Sequence, residues 1–195
     1  MKAIWIILIV LLFLAAGFGG WFFFLKKSPE GGKCAGNNQC ESGLKCVNHL
    51  CSSGKEGSVC QGTVNCQTNL LCLKNLCSQK PDYSQYFSKV VISKMKPGLA
   101  PGPNNPLTQT TTFAKTDAIE VDFVGVKSST SGPYYLEFVN SSTGKMESTT
   151  DKMDTQLQGQ DRGSGTDLSN LDSGQYDLLI YLNNQVIFAT QITVS

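Results

Sequence analysis

The sequence predicts three consecutive parts: an N-terminal transmembrane helix, a small disulfide-rich tandem repeat, and an all-β sandwich at the C-terminus. Three observations predict them. Residues 3–25 are an unbroken uncharged apolar run, all eight cysteines lie between positions 34 and 77 in a spacing written twice, and after Cys77 apolar residues recur at every second position. The 195 residues then divide into an anchor at 1–27, a cysteine-rich segment at 28–80 with copies at 30–55 and 56–80, and a sandwich at 81–195.

As a helix rising about 1.5 Å per residue, the run from Ala3 to Leu25 reaches roughly 34 Å, enough to cross a bilayer core of about 30 Å. Lys2 precedes it, and Trp21 with Phe22 to Phe24 stands just before Lys26 and Lys27, as in an interfacial aromatic belt followed by snorkelling cations. A cleaved secretory signal is the competing reading, with Ala15, Ala16, Gly17, Gly19 and Gly20 offering small residues for cleavage. The run is longer than the usual apolar region of about 7 to 15 residues. The lipid bilayer is therefore an expected partner through residues 3–25.

The cysteines fall at Cys34, Cys40, Cys46 and Cys51 and again at Cys60, Cys66, Cys72 and Cys77, a period of 26 residues. Ten of the 26 positions are identical between the copies, which marks an internal duplication. Each copy is mostly Gly, Asn, Ser and Gln, and too poor in apolar residues to offset its chain entropy by burial. Cross-links must substitute for a core, each loop closure removing on the order of 3 kcal/mol of unfolded-state entropy. Gly43 in one copy is matched by Asn69 in the other, two residue types that tolerate a left-handed backbone. Zinc is the rival use of paired cysteines. Its knuckles are closer spaced, however, and the lone histidine, His49, is replaced by Asn75 in the second copy. Disulfides place residues 28–195 in an oxidising compartment, and four cysteines per copy allow three pairings each.

The pattern Cys34-Ala-Gly-Asn-Asn-Gln-Cys40-Glu-Ser-Gly-Leu-Lys-Cys46 through Cys51, repeated from Cys60 to Cys77, resembles the Dickkopf N-terminal type of cysteine-rich module. The likeness covers about 45 residues and implies a compact knotted unit with first-to-third and second-to-fourth pairing in each copy. It does not bring with it the secreted signalling role of that family.

In the last segment Ile119, Val121 and Phe123 alternate with Glu120 and Asp122, and Tyr134, Leu136 and Phe138 alternate with Tyr135 and Glu137. Both read as half-buried strands. Tyr176, Leu178, Ile180 and Leu182 form one face of a further strand, Asn183-Asn184 a tight turn, and Gln185 to Val194 the return strand. Val90 to Ser93 adds a leading or edge strand and 144–157 one or two weaker ones, while 158–170 reads as loop. Four prolines in 96–106 make an extended exposed loop that either separates a leading strand or crosses between the sheets. Six or seven short strands fit a sandwich. The stretch Leu171-Asp172-Ser173-Gly174-Gln175-Tyr176-Asp177-Leu178 resembles the immunoglobulin tyrosine corner, with Asp172, Gly174 and Tyr176 at its signature positions and Leu178 in place of the cysteine. The resemblance implies an Ig-like or fibronectin-like sandwich held by packing alone.

Charge excludes one class of partner. Lys and Arg number 16 against 15 Asp and Glu, with five Lys against three Glu over 28–80 and eight cations against twelve carboxylates over 81–195. No clustered basic face exists to neutralise nucleic-acid phosphates. No catalytic constellation is found either: His49, the only histidine, sits among cysteines, and Gly163-Ser164-Gly165 does not lead from a strand into a helix. No catalytic, cofactor-binding or metal-ligating residue is assigned. Asp151, Asp154, Asp161, Asp167 and Asp172 fit no calcium-loop template and are read as solvated loop charges. Asn140-Ser141-Ser142 is an N-glycosylation sequon. The expected function is that of a single-pass, cell-membrane-anchored extracytoplasmic binding or adhesion protein taking a protein or glycan ligand. Its rivals are a structural subunit that self-associates through the sandwich into an array or filament, and, more remotely, a secreted hydrolase or metal-binding protein.

Overall fold

The computed structural model describes residues 27–98, 107–150 and 162–195, with side chains from residue 165 onward in the last stretch. The apolar run 3–25 lies outside these residues. Among those described, no helix is long and apolar enough to cross a membrane. The chain divides into two compact units between Ser53 and Gly54. The first copy of the repeat belongs to one, whereas the second copy folds together with the sandwich in the other.

In the first copy, β1 (Lys45–Val47) and β2 (Leu50–Ser52) form an antiparallel hairpin with Cys46 opposite Cys51. Asn48 and His49 turn it with φ of 49° and 62°. Disulfides Cys34–Cys46 and Cys40–Cys51 tie the preceding loop to both strands. The Asn37 carboxamide oxygen accepts the Cys46 N–H at 2.7 Å. The second copy repeats this plan. β3 (Leu70–Leu73) and β4 (Leu76–Gln79) pair with Cys72 opposite Cys77, and Cys60–Cys72 and Cys66–Cys77 are joined. The pairing is thus first to third and second to fourth in each copy. Gly43 and Asn69 both adopt left-handed φ, 87° and 72°.

The sandwich contains β5 (Lys89–Met95), β6 (Thr108–Gln109), β7 (Thr112–Phe113), β8 (Ala118–Val124), β9 (Tyr134–Asn140), β10 (Met146–Thr149), β11 (Arg162–Asp167), β12 (Gly174–Leu182) and β13 (Gln185–Val194). One sheet has the order β11-β8-β5-β6 and the other β10-β9-β12-β13-β7. In immunoglobulin lettering β5, β8 and β11 are strands A, B and E, β9, β12 and β13 are C, F and G, and β10 is C′. The first strand changes sheets, since β7 runs parallel to β13 with Thr112 opposite Thr193. This crossing falls at Thr110 and Thr111, because β6 still pairs with β5. Of the Pro/Gly-rich segment 96–106, residues 99–106 lie outside the described residues; β5 before it and β6 after it share a sheet.

The alternating residues meet in the middle. Ile119, Val121 and Phe123 from one sheet and Tyr134, Leu136, Phe138, Leu178 and Ile180 from the other are buried in a single cluster. Phe123 stacks on Phe87 at 4.8 Å between centroids and meets the Tyr134 ring edge-on at 5.2 Å, geometries that add to simple burial. Leu178, in the place of the immunoglobulin cysteine, is fully buried. One expectation is corrected: within 158–170, the residues from Arg162 to Asp167 are a strand, not a loop. Their backbone pairs with all of β8 from Ala118 to Phe123. Glycine suits this place because the Glu120 carboxylate and the Met95 methyl lie over Gly165, where a Cβ would meet them at 2.5 and 2.8 Å. Composition signalled a loop; the ladder to a central strand outweighs it.

What joins the second copy to the sandwich is a buried patch on the outer face of the five-stranded sheet. Leu71, 1% exposed, packs with Leu179 and Ala189, flanked by Leu73, Val139, Tyr181 and Val186. Beside it Asp177, 2% exposed, accepts hydrogen bonds from the Thr63 hydroxyl at 2.6 Å and the Ser141 hydroxyl at 2.8 Å. Thr63 in turn accepts the Cys72 N–H at 2.8 Å, the duty Asn37 performs in the first copy. The Val64 N–H donates to the Ser141 carbonyl. Gly144, at φ 68°, lets the β9–β10 turn approach the Gln61 carbonyl, where a Cβ would overlap the oxygen.

Candidate functional site

The hairpin β3–β4 does not cover the whole outer face. Between it and strands β9, β12 and β13 runs a groove of about 790 Å³, within the range of small-ligand sites. Val139, Leu179 and Val186 form its apolar floor, and Cys72 to Leu76 its wall, closing toward Gln61, Gly62 and Gly144 at one end and Asn184 and Gln185 at the other. The register shift between Ile180 and Tyr181 sets Val186 opposite Tyr181, so both side chains contribute to the groove.

The polar side chains there are held in place. Tyr181 stacks on Tyr135 with centroids 4.6 Å apart and planes 5° from parallel, and its hydroxyl donates to the Glu137 carboxylate. Burial, then the Glu137 hydrogen bond and charge, push the Tyr181 phenol far above its ordinary value. Tyr135 is raised for similar reasons, burial first and Glu137 second. Glu137 is thereby an oriented acceptor, and Tyr181 remains a neutral hydroxyl. Deeper in, Asp177 is raised by burial against the opposing effect of hydrogen bonds from Thr63, Ser141 and Gln191 and of the Lys80 charge. Two large apolar side chains at the groove stay in solvent, Met146 at 50% and Leu76 at 44% exposed.

The residues singled out in the sequence lie elsewhere. The Tyr176 hydroxyl donates to the Asp172 carbonyl at 2.8 Å, the bond of a tyrosine corner. Its phenol is raised by burial first. The Asp172 carboxylate points outward, 3.6 Å from the Lys115 ammonium, and Gly174 opens β12 opposite Val194. Asn140 ends β9, and its Oδ1 accepts the N–H groups of Ser142 and Thr143 at 3.0 and 3.1 Å. Its carboxamide also hydrogen-bonds the Tyr176 hydroxyl. His49 forms a hairpin turn beside Lys33 and Gln39. The sulfurs of Cys34, Cys40 and Cys51 converge within 4.8 Å, as do those of Cys60, Cys66 and Cys77. Every one of them is in a disulfide, so none offers the thiolate a metal requires. Asp151, Asp154 and Asp161 lie outside the described residues, and Asp167 ends β11 in solvent.

Sequence reasoning passed over Thr63, Glu137, Ser141, Asp177 and Tyr181. A signal existed for part of the set: Leu179 and Ala189 face away from the core yet are apolar, which calls for a cover on that side.

No protein-family model and no curated protein matches the chain. Among solved structures, it is similar to an immunoglobulin-like protein from Pseudomonas aeruginosa, at 9% identity and a TM-score of 0.40, over 56% of this chain and 94% of that one. Strand order, the parallel β7–β13 pair and the tyrosine corner give the sandwich its Ig-like character.

Proposed function

We propose that this is an extracytoplasmic binding protein, held to a membrane through residues 3–25, that takes its ligand in the groove between the second disulfide module and the sandwich. The supporting observation is a rigid cleft whose polar groups are oriented in advance while Met146 and Leu76 remain exposed at its sides. Such placement reduces the ordering cost of binding. The four disulfides support the compartment, since bridges persist in oxidising surroundings.

The test is proximity labelling on intact cells, comparing the wild-type chain with Leu76→Lys and Met146→Lys. Both positions are solvent-exposed, so the substitutions leave the core untouched. Wild type is expected to tag surface neighbours that the variants lose. An unchanged set of neighbours defeats the groove assignment, and tagging of cytosolic proteins alone defeats the topology. The rival role as a subunit of an array draws on β11, an edge strand among the described residues; it predicts large species in light scattering of the purified chain.

A further inference from the structure

We propose that the groove is a saccharide site, accommodating a neutral oligosaccharide between the β3–β4 hairpin and the outer face of the sheet; the proposal deepens the binding reading above and rests on it. The chemistry of the walls is the first argument. Asn75 and Gln185 present amides, each with a donor and an acceptor, and Glu137 presents two acceptor oxygens. A sugar hydroxyl is itself donor and acceptor, and vicinal hydroxyls bridge the two polar atoms of a carboxylate or an amide. Charge is the second argument. Glu137 on the sheet side is balanced by Lys74 on the hairpin side. Asp177 has both oxygens engaged by Thr63 and Ser141. Nothing in the groove selects a strongly charged ligand.

Shape and rigidity complete the case. The groove's volume of about 790 Å³ leaves room for several linked rings in place of one. Val139 and Val186, both half-buried, give its floor an apolar surface suited to the C–H face of a pyranose. Sugar binding exchanges water hydrogen bonds for protein ones at small net gain, so it requires groups fixed beforehand. Here the Tyr181 hydroxyl fixes Glu137, the Tyr135 ring fixes Tyr181, and two disulfides fix the hairpin wall.

A polypeptide strand is less well served. Addition to a sheet edge would use β10, which carries the Lys145–Glu147 ion pair and a register shift between Met146 and Ser148. Both features discourage strand pairing.

The experiment is calorimetric titration of the purified full chain with chitotetraose, cellotetraose and mannotetraose as neutral probes, beside a sulfated heparin tetrasaccharide. At least one neutral probe is expected to bind, with the sulfated one weaker. Glu137→Gln and Gln185→Ala are each expected to weaken the neutral probe about tenfold. Gln185 is exposed at the start of β13, so its variant reports on binding even if Glu137→Gln disturbs the sheet. Failure of all three neutral probes at millimolar concentration overturns the saccharide assignment, as does preference for the sulfated probe. If cell-surface labelling still depends on Leu76 and Met146, the groove stands and its ligand is a protein. If that dependence is missing as well, both readings fall.

Discussion

Replacing Thr63 by valine removes one hydroxyl from the join between the second module and the sandwich while keeping its volume. Two bonds end together. Asp177 loses its 2.6 Å donor and the Cys72 N–H loses its 2.8 Å acceptor. A hydrogen bond to a charged group contributes about 1.5–3 kcal/mol, and a buried donor left alone costs about 1–3 kcal/mol. The retained bond from Ser141 and partial relaxation of the carboxylate lower the sum, and a loss of about 3 kcal/mol is expected. Urea denaturation of the oxidised chain would give the magnitude, and amide exchange at Cys72 and Leu73 would show that the loss is local to β3–β4. A change under about 1 kcal/mol, or unaltered exchange in that hairpin, would refute the view that this hydroxyl couples the module to the sheet.

The same carboxylate sets a pH dependence. Burial raises Asp177 above its unfolded value, so between those two values the native state holds more protons than the unfolded one. Stability then falls as pH rises through this window and is flat above it. Glu120 and Asp122, both raised by burial first, act in the same direction. Asp177→Asn should flatten the Asp177 share of the slope, measured as denaturation midpoints against pH; an unchanged slope would count against it. Leu71→Lys imports the residue of the first copy, forfeiting about 2–3 kcal/mol of burial and setting an ammonium against Leu179. The four disulfides should still form by mass mapping, while β3–β4 amides exchange rapidly; the converse Lys45→Leu should alter stability by under about 0.5 kcal/mol. Tyr176→Phe should cost about 1 kcal/mol by removing the bond to the Asp172 carbonyl, read from urea midpoints, with the strand pairing unchanged by circular dichroism.

The sandwich interior was legible because its cause is local. Period-two alternation over 119–123 and 134–138 names the residues that meet in the core, and Asn183-Asn184, at φ 52° and 64°, turns the last hairpin as its residue types require. The strand Arg162–Asp167 was not legible, because its conformation comes from pairing with β8 and its own residues favour a turn. The groove escaped for a similar reason. Glu137 and Tyr181 lie 44 residues apart and become a pair only through the β9–β12 register, in which Glu137 faces Leu179 and Tyr135 faces Tyr181. Tyr181 on its own reads as an ordinary outward-facing strand residue.

The duplication itself explains why one copy lies in the sandwich unit and the other does not. Both keep the bond that closes the loop onto the third cysteine, through Asn37 in one and Thr63 in the other. Only the threonine hydroxyl both accepts that N–H with its oxygen and donates its own proton to Asp177. At the position equivalent to Leu71 the first copy has Lys45, which is exposed. A shared scaffold has thus diverged at the few positions facing the sheet, and disulfides make such divergence tolerable. When stability resides in cross-links and not in apolar packing, the exterior of a module can change from polar to apolar without disturbing its fold. The apolar exterior of the second copy can then serve as the wall of a groove that neither a bare repeat nor a bare sandwich would possess.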